Sequence, residues 1–497
     1  MPLDSRRRAS SAAFSYLLPL SALLIVAPIF RAGNRPLPLL ALELLALVIF
    51  VLIIVHRQSP WASLGRGERL AIGLLAAIVL VPLLPVQASF WAALPGRALY
   101  AEAQALFGEN HSLQSISVVA FASQSSALAL LPPLAIFFGT ILCADRQRQQ
   151  LVYVLLAIAA VQACLGLVQY GTQDAMLYLG MEPSFAAQGT YPNRNHFAGL
   201  FEMAFPLAAA LFAASFGNVA AKSRRYRSRG LRAAFAAIGE ARINLYMLYL
   251  VLLALFGLAI VFSRSRTGIA LLILGVIMSA FAFAPRLGGR QTLRTAGGVV
   301  VLLSGMALAV GLVPVLQRFA ENDPVADGRW SIATATLEGI GTFFPMGSGV
   351  GTFPEVFRRF HPADIPNFVN HAHNDYLEWI FEGGLLAGGL ILLLLVLYLL
   401  RCFKTLREEG WPRERYLRIG AAIGIFLILL HGLVEYNLRI PANAIIFAFL
   451  AGLLFAPAKA NRQIEDTPRK REPQSETPNP FPQPALPPPD LSNPFAR

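Results

Sequence analysis

The densest group of ionisable side chains in this chain lies at residues 371–382, directly before an almost wholly apolar run at 385–400. The group contains two histidines, one amide and three carboxylates: His371, His373, Asn374, Asp375, Glu378 and Glu382. Ionisable side chains beside hydrocarbon are costly to bury, and by default they indicate function. The pattern therefore predicts a site that can transfer protons at one end of a membrane helix.

A metal site is one interpretation of the histidines. The order of His371, His373 and Asp375 resembles the HxHxD pattern of hydrolytic zinc sites, and His361 or Asp364 could complete the ligand set. However, a tyrosine follows the pattern where a further histidine ligand would be needed. We therefore expect no metal.

The other two interpretations are helix capping and proton transfer. Asn374 or Asp375 can cap the helix that begins here, because such side chains accept hydrogen bonds from its first free N–H groups. An imidazole titrates near neutral pH and can accept a proton from a hydroxyl group. We interpret His373 as the general base, with His371, Asn374 and Glu378 as substrate-binding neighbours.

The carboxylates of this segment recur at helical spacing. Asp375, Glu378 and Glu382 therefore share one helical face. Glu382 lies deep enough in the apolar run that it must face protein or water, where it could orient a histidine or pair with an arginine. His431 and Glu435 stand one helical turn apart in a later apolar run, and we interpret them as a buried packing pair.

Few arginines lie on the outer side, which carries the histidine segment, and each is a candidate for binding an anion, because a guanidinium offers a planar fork of donors that fits phosphate oxygens. Distinctive local sequences favour Arg266 and Arg329 for this role. Further candidates for substrate binding are Arg264, which competes with Arg266, and the neighbours Asn193, Arg194 and Asn195. Three others are interpreted as interfacial arginines that reach lipid phosphates: Arg358, Arg359 and Arg439.

The elements that must position these side chains are membrane helices. Of the 497 residues, 56% are hydrophobic and 14% are charged, whereas soluble domains carry about 25% charged residues. The net charge of +13 comes from lysines and arginines that flank apolar runs, which is typical of a membrane protein and not of nucleic-acid binding. The three cysteines form no disulfide or metal pattern. The composition therefore predicts an all-α, polytopic membrane protein.

Apolar runs of roughly 20 residues, the length that spans a bilayer, predict about twelve transmembrane helices. They lie at 14–30, 37–55, 70–86, 126–143, 151–171, 196–216, 245–262, 268–284, 295–313, 377–400, 419–436 and 440–455. Three arginines precede the first run, but no small-residue cleavage site follows it. We therefore expect a retained helix and not a signal peptide.

The distribution of lysine and arginine predicts the orientation, because both residues favour the cytoplasmic side. With the N-terminus inside, every lysine and most arginines fall in cytoplasmic segments. We expect cytoplasmic residues 1–13, a transmembrane domain at 14–456 and a disordered, proline-rich cytoplasmic tail at 457–497. Residues 371–382 then close a large periplasmic loop, 314–375, between the ninth and tenth helices.

Two segments of this loop have their own patterns. Residues 328–340 predict an amphipathic helix on the membrane surface, since apolar residues recur there at helical spacing. These residues are Trp330, Ala333, Leu337 and Ile340. The glycine-rich run at 347–351 lacks the GK[ST] of a P-loop, and predicts a flexible turn whose N–H groups could reach an anion.

Together, several segments resemble the O-antigen ligase and polymerase superfamily of bacterial membrane glycosyltransferases. They are YPNRNH at 191–196, SRTG at 265–268, GRW at 328–330, the glycine turn at 345–353, and HAHNDYLE at 371–378 with trailing glycines. The resemblance covers about residues 151–400, and the histidine segment with the long loop is its most specific part. The trailing glycines are shifted relative to the ligase form, so ligase and polymerase both stay open.

The resemblance implies an all-helical, GT-C-like, metal-independent and inverting glycosyltransferase of the bacterial inner membrane, with its active site on the periplasmic face and no cofactor. Its donor would be a glycan on undecaprenyl pyrophosphate. Its acceptor would be lipid A-core in a ligase, a growing polysaccharide in a polymerase, or a protein hydroxyl. By analogy, Arg266 and Arg329 match the pyrophosphate-binding arginines of the family, and His373 matches its essential histidine.

Two other classes of protein fit the sequence less well. A transporter of lipid-linked glycan would bind the same pyrophosphate, but transporters bind near the bilayer midplane and not at one face. A structural subunit of a polysaccharide export assembly would leave the histidine segment without a role. The membrane glycosyltransferase is therefore the preferred interpretation.

Overall fold

The computed structural model describes residues 3–108, 112–178, 180–227, 240–287 and 324–457, with isolated positions between 289 and 305. Within these ranges, side chains are described from Tyr16 onward, except at 217–244 and 324–327. The predicted span at 295–313 and nearly all of the predicted tail lie outside the described residues. The chain divides into Met1–Ala456 and Pro457–Arg497, and every helix and strand described belongs to the first unit.

The described part of the chain consists of helices joined by turns and loops, with one pair of short strands. In chain order the helices are α1 (Leu3–Ile29), α2 (Pro36–Val55), α3 (Arg66–Leu80), α4 (Ala88–Ala93), α5 (Ala98–Leu106), α6 (Ala120–Ala129), α7 (Leu131–Leu142), α8 (Asp145–Thr172), α9 (Arg194–Arg227), α10 (Glu240–Phe262), α11 (Arg266–Leu287), α12 (Pro324–Phe343), α13 (Phe353–Val356), α14 (Asp375–Arg407), α15 (Arg413–His431) and α16 (Pro441–Phe455). Strands β1 (Pro85–Gln87) and β2 (Leu113–Ser115) pair in antiparallel fashion. Single 3-10 turns lie at Arg31–Gly33, Pro60–Ser63, Val81–Leu83, Ala175–Tyr178, Phe357–Phe360 and Asn437–Arg439.

Among the described residues, seven stretches of helix are long and apolar enough to cross a membrane. They are Pro36–Val55, Ala120–Leu142, Asp145–Thr172, Arg194–Phe216, Leu245–Phe262, Arg266–Leu287 and Asp375–Arg407. Two shorter helices, Tyr16–Ile29 and Pro441–Phe455, are also apolar. These helices confirm the prediction of a helical integral membrane protein, while the number of twelve spans and the loop between the ninth and tenth stay predictions.

Two predicted spans end earlier than their apolar patterns indicate. α3 gives way to β1, because Pro82 and Pro85 lack the N–H groups that would continue a helix. α15 ends at His431, so Glu435 lies in the following loop and not one turn further along the helix. The prediction that both residues are buried is confirmed, but their pairing along one helix is wrong: His431 lies 2.8 Å from Glu202 instead.

α9 is the central helix, because apolar residues surround it on every face. Almost all residues of Arg194–Phe216 are buried, including Phe197, Phe201 and Leu207. α9 packs against α8, α10, α11, α15 and α16. The first turn of α9, which carries Asn195, is therefore held by packing from several neighbours.

α14 is interrupted at Gly384, whose φ of 57° is left-handed. The glycine turn between α12 and α13 packs into this break. The N–H of Leu385 donates to the carbonyl of Pro345 at 2.8 Å, and the N–H of Gly349 donates to the carbonyl of Glu382 at 2.9 Å. The glycine turn is therefore docked on α14, and these N–H groups bind the protein and not an external anion.

Arg97 connects the strand pair to the same glycine turn. Its side chain is 1% exposed and donates to the carbonyl oxygens of Ile116, Pro95 and Gly347. Burial lowers the pKa of Arg97 to about 10, so the guanidinium stays charged at neutral pH. Its hydrogen bonds stabilise the loop region that supports α14.

The amphipathic helix predicted in the outer loop is α12, but its packed face differs from the predicted one. Ile332 and Ala335 are buried in a cluster with Phe343. Trp330 is 77% exposed and Leu337 is 55% exposed. Trp330 and Leu337 of the predicted stripe thus face away from the protein, as a helix on a membrane surface requires, whereas Ile340 packs against the cluster. Contact of the exposed residues with lipid stays a prediction.

Gly384 gives a direct test of the break in α14. A Cβ at this position would lie 2.1 Å from the carbonyl oxygen of Pro345, and such a backbone conformation costs other residues about 1–3 kcal/mol. We expect Gly384→Ala to lower the melting temperature in detergent by several degrees. Gly388→Ala is the control, because a Cβ there meets nothing within 4 Å. Equal melting temperatures for the two variants would contradict a docked turn.

Candidate active site

The carboxylate of Glu435 joins three separate segments of the chain. Its Oε1 accepts a hydrogen bond from Nδ1 of His373 at 2.9 Å. Its Oε2 accepts from Nδ2 of Asn195 at 2.6 Å and from Nη2 of Arg329 at 3.3 Å. Glu435 is 1% exposed. The structure thus brings three of the predicted site residues together on one buried carboxylate that the sequence pattern did not assign to the site.

The start of α14 holds His373 in place. Oδ1 of Asn374 accepts from the N–H groups of Tyr376 and Leu377, so Asn374 is the N-cap that the sequence predicts. Its Nδ2 donates to the carbonyl of Leu433 at 2.9 Å, which ties the cap to the loop after α15. His373 itself has a left-handed φ of 50°, and such strain in a residue other than glycine is concentrated at functional sites.

A second polar network lies beside the first. Glu378 accepts from Nδ1 of His371 and from the backbone N–H of Ala372, both at 2.9 Å. Nε of Arg439 lies 3.2 Å from Glu378, and its Nη2 lies 2.7 Å from Glu382. His371, Asn374 and Glu378 thus bond within the protein, and their assignment as substrate-binding residues stays a prediction.

Glu382 completes this network on the side of the glycine turn. Its Oε1 accepts from the N–H of Phe353 at 3.1 Å. The anion that the glycine turn binds is therefore the carboxylate of Glu382, a group of the protein itself.

The ring of Tyr436 separates the three histidines of the site. It stacks on His371 with ring centroids 4.1 Å apart, and it meets His373 and His196 edge-on at 5.0 and 4.6 Å. His196 is 1% exposed, and its Nε2 lies 3.9 Å from Glu435. The aromatic ring therefore fixes the orientation of the imidazoles while Glu435 supplies the charge.

The loop after α15 carries two oppositely charged groups whose pKa values are shifted. Burial raises the pKa of Glu435. The hydrogen bond from His373 and the charge of Arg329 lower the pKa by more than burial raises it, so the pKa of Glu435 lies below its ordinary value. Burial lowers the pKa of Arg439, but Glu382 and Glu378 raise it above its ordinary value. Both groups therefore stay ionised at neutral pH.

The polar start of α9 combines capping with a contact to the site. Oδ1 of Asn193 accepts from the N–H of Asn195 at 2.7 Å, and so caps α9. The side chain of Asn195 reaches Glu435, whereas Arg194 lines a neighbouring cleft. Asn193 therefore caps a helix, Asn195 contacts Glu435, and Arg194 lies at the cleft.

The turn between α10 and α11 is as short as the sequence predicts, and its two arginines differ. Arg264 lies 5.7 Å above the ring of Tyr170 and lines the same cleft as Arg194. Arg266 is the exposed first residue of α11, and makes no hydrogen bond or ion pair with the residues described. Because a Cβ at Gly268 would lie only 2.8 Å from the Cβ of Ala198, the starts of α11 and α9 are in contact.

The residues considered as extra metal ligands have other partners. His361 bonds to the carbonyl oxygens of Pro362 and Asn367. Asp364 accepts from the hydroxyl of Ser331 at 2.9 Å. Neither residue bonds to His371 or His373 within the described chain, and the expectation of a metal-free site stays a prediction.

The interpretation of Arg439 as an interfacial arginine is wrong. Its side chain is 13% exposed and pairs with two carboxylates that are each 1% exposed, Glu378 and Glu382. The apolar runs on either side suggested a lipid-facing turn, but the acidic face of α14 lies against it. The one usable signal was Glu382, whose depth in an apolar run predicts a partner such as an arginine.

The match to a known protein family fits this geometry. Residues 250–393 match the O-antigen ligase family. The matched region includes Arg266, Arg329 and His373, and it confirms the resemblance inferred from the motifs. It indicates a ligase- or polymerase-type glycosyltransferase. Glu435 lies beyond the matched region. A search of curated proteins found no match to the chain.

Arg439 offers a test of the second network. Arg439→Met leaves Glu378 and Glu382 buried without their cation, and such a loss costs about 3–5 kcal/mol. We expect a large drop in melting temperature in detergent. Arg358→Met is the control, because Arg358 is exposed and lies over the ring of Phe368. If both variants melt like the unmodified protein, Arg439 has the interfacial role after all.

Proposed function

We propose that this protein transfers a glycan from an undecaprenyl-pyrophosphate carrier to an acceptor hydroxyl at the periplasmic face of the bacterial inner membrane, with lipid A-core as the acceptor. The observation that carries the proposal is the hydrogen bond between His373 and the buried, ionised Glu435, because it prepares a histidine for proton transfer. The match of residues 250–393 to the O-antigen ligase family supports the class of reaction.

His373 would act as the general base. A carboxylate can only accept, so Nδ1 of His373 carries the proton in its bond to Glu435. A neutral ring then leaves Nε2 unprotonated and able to accept the proton of the acceptor hydroxyl. Nε2 has no hydrogen-bond partner among the residues described. As the ring gains charge, the carboxylate of Glu435 stabilises the imidazolium.

Arg329 and Arg266 would bind the pyrophosphate of the donor. Arg329 is 38% exposed and uses one nitrogen for Glu435, which leaves other donors of its fork for phosphate oxygens. Arg266 stands at the first residue of α11, where the helix dipole also favours an anion. Both cations would stabilise the charge that grows on the leaving group.

The reaction would then be an inverting displacement without a metal. The acceptor oxygen attacks the anomeric carbon from the face opposite the pyrophosphate, His373 takes its proton, and the carbon–oxygen bond to the carrier breaks. The two arginines would supply the positive charge at the leaving group that a metal ion supplies in metal-dependent transfer. Both termini would lie in the cytoplasm, and the acidic segment at the start of α14 would lie in the periplasm.

A polymerase is the second candidate, and the family match favours it as much as the ligase. It would use the same donor site and base, and would add glycan to a growing lipid-linked chain. The acceptor that gains glycan separates the two reactions.

A transfer assay tests the proposal. Purified protein, lipid-linked oligosaccharide, EDTA and a panel of acceptors are combined, and glycan is followed from carrier to acceptor. We expect His373→Ala to slow transfer by about 100-fold or more, the usual contribution of a general base. His361→Ala is the matched control, since His361 bonds to loop carbonyls, and should transfer at the normal rate.

Two results would contradict this account. If Arg266→Ala and Arg329→Ala both transfer glycan at the normal rate, these two arginines do not bind the pyrophosphate. If no variant transfers glycan while vesicles containing the unmodified protein move lipid-linked glycan across the bilayer, the protein is a transporter and His373 loses its role.

A further inference from the structure

We infer that a cleft apart from Glu435 is a second anion-binding site, and that its ligand carries a phosphate group. The cleft has a volume of about 800 Å³ and is lined by three arginines, Arg31, Arg194 and Arg264, with Glu182 as the acidic residue on its wall. Clefts that bind small ligands measure about 300–1,000 Å³. This volume holds a phosphate group together with an attached sugar.

The three arginines come from distant parts of the chain. Arg31 lies in the turn after α1, Arg194 is the first residue of α9, and Arg264 lies between α10 and α11. All three arginines line the cleft together with one carboxylate, Glu182, so positive charge is in excess on its wall. Because opposite charges attract, this excess of positive charge favours an anionic ligand.

The backbone at two of these arginines is strained. Arg31 has a φ of 49° and Arg264 a φ of 55°. A left-handed φ is uncommon for residues other than glycine, and it persists where the surroundings enforce it, often at ligand clamps. In both turns the strain accompanies an arginine that lines the cleft.

The arginines differ in how many of their donors the protein uses. Nη2 of Arg31 donates to the carbonyl of Gly180 at 2.6 Å, which anchors this side chain to the cleft wall. Nε of Arg264 is buried and has no hydrogen-bond partner among the described residues. A buried donor without a partner is costly, and a phosphate oxygen would satisfy it with a charge-assisted hydrogen bond.

The rest of the wall suits the remainder of such a ligand. Phe185 is 79% exposed and lines the cleft together with Met181, so apolar surface lies beside the guanidinium groups. Gln188 adds a neutral polar side chain. A phosphate on a sugar or on a lipid head group matches this combination, and the lipid composition of the membrane separates the two sources.

Titration calorimetry with inorganic phosphate tests the inference in nanodiscs of phosphatidylcholine, and requires no transfer activity. We expect saturable binding that Arg264→Gln weakens about tenfold, the equivalent of one charge-assisted hydrogen bond. Arg31→Gln should weaken it as well, which keeps the test valid if one variant fails to fold. Arg35→Gln is the matched control, because Arg35 is exposed and does not line the cleft.

The outcomes are distinct. Binding that survives unchanged in Arg264→Gln and Arg31→Gln, or no binding by any protein, would overturn the inference. If the arginine-dependent binding disappears when the nanodiscs contain phosphatidylglycerol, a lipid head group occupies the cleft. If it persists there, the phosphate belongs to a substrate. A negative result here combined with loss of transfer in His373→Ala would leave the proposed function standing.

Discussion

The burial of one ionised carboxylate, Glu435, is the constraint on which the site depends. A charge that is 1% exposed is tolerated only if hydrogen bonds and opposite charges replace its water. Asn195, Arg329 and His373 provide them from the start of α9, from α12 and from the segment before α14. The need to satisfy this single group therefore holds together segments that are far apart in the chain.

The second network makes that arrangement rigid. Arg439 spans two carboxylates of α14, while the break at Gly384 lets the glycine turn dock against the same helix. Tyr436, next to Glu435 in the chain, fills the space between the imidazoles. The histidine proposed as the base is thus oriented by a charge, by an aromatic ring and by a helix cap, each of which is fixed by different neighbours.

Residue type and local pattern were enough to predict much of this protein. Long apolar runs predict most helices, and they locate the turn between α10 and α11 correctly because five polar residues, 263–267, separate two such runs. Chemistry and motif predict His373, Arg329 and Asn195 as site residues, and the structure brings them together. The capping role of Asn374 also followed from its position before a helix.

The failures have a common physical origin, since they concern long-range contacts. Periodicity predicts one helix for His431 and Glu435, but α15 ends at His431, and His373, which bonds to Glu435, is 62 residues away. The residues next to Arg439 in the chain predict an interfacial arginine, because they do not indicate that the acidic face of α14 lies against it. For α12, periodicity detected a helix but could not tell its packed face from its exposed stripe. Sequence spacing reports local geometry, whereas burial depends on which elements meet.

A double-mutant cycle between His373 and Glu435 tests the central claim most directly. The rate of glycan transfer is measured for the unmodified protein, His373→Ala, Glu435→Gln and the double variant. If Glu435 acts through the imidazole, the double variant is as slow as His373→Ala alone, because the carboxylate has nothing left to orient. If the two losses multiply, the residues act independently, and the hydrogen bond between them is not the centre of the site.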